Sequence, residues 1–336
     1  MSEAASSRLL VLMPLRDDWQ SAAELIKRVD RALSSTCHLD ILIVDDGSIQ
    51  RCPADEFKAH FFVIRSIRTL RLRRNLGHQR AIAIGLTWVQ QNLSCDALIV
   101  MDADGEDTAE GVDQLIATYS SLQGTKAVFA ERSRRSESLL FKIFYRLYKA
   151  LHLILTGIAV RVGNFSILPR HYLNSLVVVS ELWNHYAAAV LRSKLPYTMI
   201  PIPRGNRIAG RSSMNFVSLV SHGLSAISVF GDIVGVRLLI ASLMASLLAG
   251  LALIVLPIVR FIDLGGIPAV PGWVAYATGT LAIVLMQLIT IAASFTFFML
   301  SGRTTLGFVP LRDYAWFVEE VAEVYVRDPA NGDSAP

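Results

Sequence analysis

Short apolar runs alternate with amphipathic segments along the first part of the chain. A continuous apolar run of four to eight residues is typical of a buried strand, and apolar positions spaced three and four apart are typical of a helix packed on one face. Strands that alternate with helices predict a parallel sheet covered by helices on both faces. The predicted strands are Arg8–Pro14, Leu39–Val44, Phe61–Leu72, Leu98–Met101 and Lys126–Ala130, and the predicted helices are Trp19–Leu33, Gly77–Gln91 and Ala109–Leu122.

The arginines of the third predicted strand are expected to form a solvated or membrane-facing edge of the sheet. The segment Leu139–Leu155 carries cations at helical spacing, so it is predicted as a helix that lies in the membrane interface or as a core helix with snorkelling cations. A polar loop at Arg204–Ser213 combines arginines with glycines, as a mobile phosphate-binding loop would. An ordinary linker is the alternative for that loop. The remaining predictions are helices at Leu139–Leu155, from Pro169, at Glu181–Ser193 and at Met214–Asp232, strands at Gly163–Leu168 and Tyr197–Pro203, and an amphipathic tail at Leu311–Tyr325.

Two long apolar segments, Leu238–Val259 and Trp273–Leu300, are each long enough to cross a bilayer as a helix. The short loop between them predicts a transmembrane hairpin. Arginines flank its outer ends, so both termini and the main domain are expected on the cytoplasmic side of the cell inner (plasma) membrane. The polar start, Met1–Arg8, does not resemble a signal peptide. The predicted domains are 1–213, a juxtamembrane helix at 214–235, the hairpin at 236–300 and a cytoplasmic tail at 301–336.

Composition narrows the classes of partner. Hydrophobic residues make up 53% of the chain, and the formal net charge of +4 fits an anionic lipid surface or a phosphate-bearing substrate. That charge is too small to predict nucleic-acid binding. The cysteines, Cys37, Cys52 and Cys95, match neither a disulfide framework nor a metal site, which indicates a reducing compartment.

Carboxylates follow the strand at Leu98–Met101, where open α/β sheets bind ligands. Asp102 and Asp104 are two residues apart, so a slight turn lets both reach one hard cation such as Mg²⁺ or Mn²⁺. Asp107 completes the cluster. A solvated acidic turn that caps the next helix is the alternative.

Arginines follow the next predicted strand, at Arg132 and Arg135. A planar guanidinium suits phosphate, although a basic turn lying on anionic lipid is equally compatible with the sequence. The chain has no glycine-rich phosphate loop of either common kind. A nucleotide diphosphate would therefore be held by a metal ion and arginines.

Taken in order, these motifs resemble glycosyltransferase family 2, with the GT-A fold, and within it the polyprenyl-phosphate glycosyltransferases of the dolichyl-phosphate mannose synthase-like branch. The resemblance covers nearly the whole chain. It is carried by Asp45-Asp46-Gly47-Ser48, Asn75-x-Gly77, Asp102-x-Asp104 with Asp107, Arg132-x-x-Arg135, Arg211-Ser212-Ser213 and the apolar hairpin.

The resemblance implies a role for each matching position. Asp102 and Asp104 would hold the metal ion, and Asp107 would be the base if the acceptor were a hydroxyl. Arg132, Arg135 and Arg211 would bind donor or acceptor phosphates. Pro14, Asp18, Asp46 and Ser213 fall at nucleotide- or phosphate-binding positions of the family.

Three positions depart from the family pattern: Ser213 stands where lysine is usual, Ser166 where arginine is frequent, and Glu106 where glutamine is common. Arg207 or Arg170 could compensate for the missing cations.

The implied function is inverting, metal-dependent transfer of a sugar from a nucleotide-sugar donor to a polyprenyl phosphate at the membrane, by a chain that could form homo-oligomers. Two alternatives stay open: transfer to a lipid or glycan hydroxyl, and a non-catalytic membrane module that binds sugar nucleotides. The sequence does not identify the sugar, the base or the lipid.

Overall fold

The computed structural model of the chain describes residues 8–33, 37–132, 139–158, 162–209, 216–261, 272–304 and 307–327. The strands are β1 (Arg8–Leu15), β2 (His38–Asp45), β3 (Ile64–Leu72), β4 (Ala97–Val100), β5 (Ala127–Arg132), β6 (Val162–Pro169), β7 (Tyr197–Ile202) and β8 (Val318–Val326). The α-helices are α1 (Trp19–Ala32), α2 (His78–Asn92), α3 (Ala109–Ser121), α4 (Leu139–Thr156), α5 (Tyr172–Leu176), α6 (Tyr186–Arg192), α7 (Phe216–Ser228), α8 (Gly231–Phe261), α9 (Trp273–Thr304) and α10 (Pro310–Asp313). Short 3₁₀ turns lie at Ala54–Phe57, Ser180–Trp183 and Tyr314–Phe317.

The strands form one eight-stranded sheet in the order β7-β5-β6-β4-β1-β2-β3-β8. The central strands β4, β1, β2 and β3 run parallel. β6 lies antiparallel between β5 and β4, and β8 is an antiparallel edge strand beside β3. Alternate residues of β1 enter two separate cores: Val11 packs with α1 and α3, and Leu12 packs with α2, α5 and α6. The predicted α/β sheet with helices on both faces is therefore confirmed.

Pro14 does not stop β1, which continues to Leu15. On one side β1 is paired with β4 only as far as Leu12, so the strand edge next to Pro14 is open there. Proline lacks an N–H and is tolerated at such an edge.

The predicted helix Glu181–Ser193 is interrupted at His185, whose backbone is extended and whose Nδ1 accepts a hydrogen bond from Ala188 N–H at 3.4 Å. The predicted helix at Pro169 begins instead at Tyr172, because Pro169 is the last residue of β6.

The tail contributes a strand that the sequence pattern did not predict. β8 pairs antiparallel with β3, so Arg68 and Arg71 do not form a solvated or membrane-facing edge, whereas Arg65 is exposed. Arg68 donates to Glu323 at 2.8 Å, and Arg71 bridges Glu319 of β8 and Asp45 of β2. The glutamates of β8 were not recognised as partners because 248 or more residues separate them from these arginines.

The chain divides into two compact units, one comprising Met1–Leu147, Val160–Val229 and Phe308–Pro336, the other Tyr148–Ala159 and Phe230–Gly307. In the second unit α8 and α9 pack on each other. Gly231–Val255 and Trp273–Phe298 within them are long and apolar enough to cross a membrane, with mean hydropathies of 2.6 and 2.2. The domain boundaries given above stay a prediction.

We predict that Gly85→Ala destabilises the protein although alanine is the better helix former. A Cβ at Gly85 would lie 2.7 Å from both Leu12 Cδ1 and Val44 Cγ2, which are buried where α2 crosses the sheet. Overpacking of this kind costs about 1–3 kcal/mol, more than the gain of up to about 1 kcal/mol in helix propensity. The measurement is thermal unfolding in detergent, with Gln91→Ala on the exposed side of α2 as the control. An unchanged or higher Tm for Gly85→Ala would contradict the close packing.

Candidate functional site

Three loops meet at one edge of the sheet because β1, β2 and β4 run parallel and in register. Leu15 of β1 lies opposite Asp45 of β2, and Leu12 lies opposite Val100 of β4. The acidic segments that follow these strands are therefore neighbours at the carboxyl edge, where α/β sheets bind ligands. These segments are 16–18, 46–48 and 101–107.

The first two loops are tied together by Asp17, a non-glycine residue with a φ of 54°. Its Oδ1 accepts hydrogen bonds from the N–H groups of Ile49 at 2.7 Å and Gln50 at 3.3 Å, and its own N–H donates to Ser48 Oγ at 2.8 Å. Asp17 is thus occupied in holding the loop, and Asp18 is the carboxylate that faces the acidic cluster.

Asp46 holds the start of α2. Its Oδ1 accepts from Leu76 N–H at 2.7 Å and its Oδ2 from Gly77 N–H at 2.9 Å. Burial raises the pKa of Asp46 above its ordinary value, against these hydrogen bonds, which lower it. Its predicted contact with base or ribose stays a prediction, since both oxygens already serve the turn.

Asp107 and His78 fix Asp102 from two sides. Asp107 Oδ2 accepts the N–H of Asp102 at 2.9 Å, and the buried Asp107 side chain thus shapes the turn that carries the acidic pair. His78 Nε2, on the first turn of α2, lies 3.1 Å from Asp102 Oδ1. Loss of water around His78 lowers its pKa, but the carboxylates of Asp102, Asp107 and Asp46 outweigh that effect and raise it overall.

Asp104 is held by the loop after β7. Arg207 Nη1 lies 3.2 Å from Asp104 Oδ2, and Arg207 Nη2 pairs with Asp18. The N–H of Ile208 donates to the backbone oxygen of Asp104 at 2.9 Å.

Earlier in the same loop, Arg204 pairs with Glu106, and Gly205 N–H donates to the Glu106 backbone oxygen at 2.9 Å. We call residues 204–208 the arginine clasp. Arg204 of the clasp thus neutralises the negative charge of Glu106.

The carboxylates fit a divalent cation. Burial and the nearby Asp102 raise the pKa of Asp104, although Arg207 and Arg204 counteract them. Two carboxylates that disfavour each other's charge are the oxygen ligands to which a dication binds. Among the described residues no group of three His, Cys, Asp or Glu side chains is placed to share an ion. Two carboxylates completed by substrate phosphates is the arrangement usual for Mg²⁺.

A buried polar network lies behind His78. Tyr186 N–H donates to Gln79 Oε1 at 2.8 Å, Gln79 Nε2 donates to Asn164 Oδ1 at 3.2 Å, and Asn164 Nδ2 lies 3.0 Å from His78 Nε2. The Ser166 hydroxyl is fully buried, donates to the Asn164 backbone oxygen and contacts the Tyr186 hydroxyl at 2.7 Å. Ser166 therefore belongs to the interior, so no phosphate-binding cation is available at this position.

The structure brings together only some of the predicted site residues. Asp18, Asp46, Asp102, Asp104 and Asp107 gather at one edge, and Pro14 is buried beneath them in β1. Arg132 is the last residue of β5, and its side chain lies outside the described part of the chain, as do Arg135, Arg211 and Ser213 entirely.

The sequence interpretation missed His78 and the pairing of the clasp with the acidic turn. A signal for the first was present: a histidine directly after Asn75-x-Gly77 opens a helix at the carboxyl edge of the sheet.

Comparison with known proteins gives a match to the family model described as glycosyl transferase family 2, over residues 10–176. The chain is 28% identical over 300 residues to the undecaprenyl-phosphate 4-deoxy-4-formamido-L-arabinose transferase of Salmonella choleraesuis (strain SC-B67), covering 85% of each chain. It is 24% identical over 269 residues to an uncharacterized glycosyltransferase, YkcC, of Bacillus subtilis (strain 168), covering 78% of this chain and 80% of that one.

Among solved structures, glucosyl-3-phosphoglycerate synthase from Mycobacterium tuberculosis, in complex with Mn²⁺, UDP-glucose and phosphoglyceric acid, aligns with a TM-score of 0.49. The identity is 13%, over 69% of this chain and 81% of that one.

We predict that Asp104→Asn stabilises the metal-free protein at pH 7. The pKa of Asp104 is higher in the folded protein than in the unfolded chain, so the folded protein binds the carboxyl proton more tightly. The free energy of unfolding therefore falls as pH rises above the pKa that Asp104 has in the unfolded chain. Removing the charge should raise stability by about 0.5–2 kcal/mol, as is common for substitutions at strained functional sites.

The measurement is Tm with chelator present, from pH 3.5 to pH 8, with Asp113→Asn on exposed α3 as the control. The gain should vanish below about pH 4, where Asp104 is protonated in both states. A lower Tm at pH 7 would mean instead that the pair with Arg207 outweighs burial.

Proposed function

We propose that this chain, a glycosyltransferase with a glycosyl transferase family 2 domain, transfers a sugar from a nucleotide-sugar donor to a polyprenyl phosphate. The transfer inverts the configuration at the anomeric carbon and uses a divalent cation. The family match confirms the resemblance to family 2. Together with the observed mixed, mostly parallel sheet it confirms the GT-A-like fold.

We infer the acceptor from how much of the chain aligns with the Salmonella transferase. The match to the Salmonella transferase covers 85% of each chain, so it extends well beyond residues 10–176, and that relative is named for undecaprenyl phosphate. The apolar helices α8 and α9 suit an acceptor that stays in the bilayer. A polyprenyl phosphate is therefore the acceptor that accounts for both the domain and the helices after it.

Asp102 and Asp104 would hold Mg²⁺ or Mn²⁺ on the donor diphosphate. When bound, such an ion supplies a Lewis acid that neutralises the charge growing on the leaving phosphates. Arg207 forms ion pairs with both Asp104 and Asp18, so its pair with Asp104 has to break before that carboxylate can coordinate a metal ion. Released, its guanidinium has the donor geometry that phosphate requires.

The chain's own residues prepare the site. Asp107 holds the backbone of Asp102, and His78 lies against its carboxylate, so the position of Asp102 is set before substrates arrive. Preorganisation of this kind removes the cost of arranging charges during the reaction. Arg132, Arg135 and Arg211 are proposed phosphate contacts, and Pro14, Asp18, Asp46 and Ser213 proposed parts of the donor pocket.

The reaction needs no strong base if the acceptor is a phosphate. One oxygen of the lipid phosphate attacks the anomeric carbon, the bond from that carbon to the diphosphate oxygen breaks, and its electron pair leaves with the nucleoside diphosphate. The lipid phosphate is already ionised near neutral pH, so positioning is the main requirement. A hydroxyl acceptor would need a base, but Asp107 is buried and bound to Asp102 N–H, which favours the phosphate acceptor.

The charge distribution around the helices supports a catalytic domain and both termini on the cytoplasmic side of the inner membrane. Homo-oligomers stay a prediction. A non-catalytic sugar-nucleotide module would show as metal-dependent nucleotide binding without product.

We predict that membranes containing the full chain transfer labelled sugar from one of a panel of nucleotide sugars to undecaprenyl phosphate. EDTA should abolish this transfer, and Asp104→Asn should reduce it about 10²–10³-fold, the usual effect of removing one major electrostatic contact in a transition state. The product should be a glycosyl phosphodiester that mild acid cleaves. Asp113→Asn is the control for a carboxylate lost elsewhere, and undiminished transfer by Asp104→Asn would remove the metal role.

We further predict that Arg207→Gln binds Mn²⁺ more tightly than the wild type when no nucleotide is present. The variant removes a cation that competes for Asp104, and a gain of roughly three- to tenfold in affinity corresponds to one partly exposed ion pair. Free Mn²⁺ is counted by electron paramagnetic resonance in a titration of each purified protein. Arg170→Gln, a cation bound to the Gln90 backbone oxygen, is the control. Equal affinities for wild type and Arg207→Gln would show that Arg207 does not compete with the ion.

A further inference from the structure

A cluster of aromatic side chains lies where the chain returns to the sheet after α9. Trp183 and Phe308 have ring centroids 3.7 Å apart, and Phe317 lies 5.3 Å from Trp183 and 5.7 Å from Phe308. Arg80 lies over the ring of Trp183, with Cζ 5.1 Å from the ring centroid. The neighbouring Trp316 is not part of this packing, because 77% of its surface is exposed.

Three exposed arginines lie around this cluster. Arg73 N–H donates to the Phe317 backbone oxygen at 2.9 Å, which places Arg73 and Arg74 beside the turn that carries Trp316. Arg73, Arg74 and Arg80 are exposed, and none of them forms a salt bridge with a carboxylate of the described residues. By contrast, Arg68 and Arg71 of β3, the strand that precedes Arg73, are both paired.

We propose that this surface, the basic–aromatic patch of Arg73, Arg74, Arg80, Trp183, Phe308 and Trp316, docks on the head groups of anionic phospholipids. Tryptophan prefers the membrane–water interface, where its ring is apolar and its N–H is solvated. Unpaired arginines beside it are attracted to an anionic leaflet and are repelled by one another in solution. The patch therefore has the composition of an interfacial contact.

Chain length supports this occupant. The helix α9 ends at Thr304, and only three residues separate it from Phe308. The apolar span within α9 ends at Phe298, so at most about 9 Å of helix and about 14 Å of chain separate that span from Phe308. A second copy of the chain is a poorer partner, because like charges of two symmetric patches would face each other.

Docking there would act on the first turn of α2. Arg80 is two residues after His78, which lies 3.1 Å from Asp102. A patch held at head-group level therefore keeps this end of the acidic site near the depth at which lipid phosphates lie. The inference stands apart from sugar transfer, since lipid contact needs neither donor nor acceptor.

The experiment measures the depth of Trp316 in the full chain reconstituted into nanodiscs. Discs of phosphatidylcholine, alone or with phosphatidylglycerol, carry lipids brominated near the head group, which quench tryptophan fluorescence on contact. The chain has five tryptophans, so the contribution of Trp316 is the difference between wild type and Trp316→Phe. We expect Trp316 to be quenched in the anionic discs and much less in pure phosphatidylcholine.

Arg73→Gln/Arg74→Gln should reduce this quenching at least twofold. The matched control is Arg31→Gln/Arg65→Gln, which removes the same charge at exposed positions at the opposite edge of the sheet and should leave it unchanged. Circular dichroism checks that each variant is folded.

Equal quenching in both kinds of disc, or no effect of the Arg73/Arg74 change, would overturn the proposal. Trp316 that is shielded from acrylamide yet not quenched by brominated lipid would also overturn it, because a protein surface would then cover the patch. None of these results bears on whether the chain transfers a sugar, so this inference and the proposed function fail separately.

Discussion

The structure depends on keeping several carboxylates close together at one edge of a parallel sheet. Each of them would repel the others, and partial burial would make that repulsion stronger than in water. Each carboxylate has a partner in the structure. Backbone N–H groups serve Asp46 and Asp107, an arginine of β3 serves Asp45, His78 serves Asp102, and Arg207 serves both Asp18 and Asp104. Two kinds of partner result. Backbone partners are permanent, because withdrawing them would unfold a turn, whereas the side chains of His78 and Arg207 can move away. Asp102 and Asp104, which the proposed reaction needs, each have a movable side-chain partner, and Asp104 Oδ1 also accepts the N–H of Glu106 at 3.0 Å.

Much of this arrangement was predictable from the sequence because it follows from local pattern. The apolar runs of β1, β2 and β4 end in acidic residues, and parallel pairing alone brings those ends together. The partners were not predictable, because they are distant in sequence: Arg207 lies 189 residues from Asp18. The sequence pattern did not predict β8 for the same reason. Val318–Val326 is glutamate-rich and mostly exposed, and it forms a strand by pairing with β3, which is distant in sequence. The family resemblance supplied roles for single residues, but not which of them contact each other.

The departures from the family pattern are easier to understand in the structure. Ser166 is part of a buried hydrogen-bond network with Tyr186 and Asn164, so its hydroxyl lies in the protein interior where the family frequently has an arginine. Glu106 adds a negative charge, and Arg204 of the clasp neutralises it. Because the clasp also brings Arg207 to Asp104, the substitution at Glu106 and the position of Arg207 belong to one arrangement. Arg204 and Arg207 of the clasp thus bring positive charge to the acidic turn.

The first turn of α2 connects the separate parts of the molecule. Successive helical residues point about 100° apart, so neighbours in sequence reach different surroundings. His78 contacts Asp102 of the acidic site, Gln79 enters the buried network, and Arg80 covers Trp183 of the basic–aromatic patch. This turn is itself fixed by Asp46, through the N–H groups of Leu76 and Gly77. Arg80 at the patch thus lies on the same helical turn as His78, whose Nε2 is 3.1 Å from Asp102 Oδ1. Since a chemical step between a water-soluble donor and a membrane-bound acceptor depends on relative position, the same residues that stabilise the fold are those that can set that position.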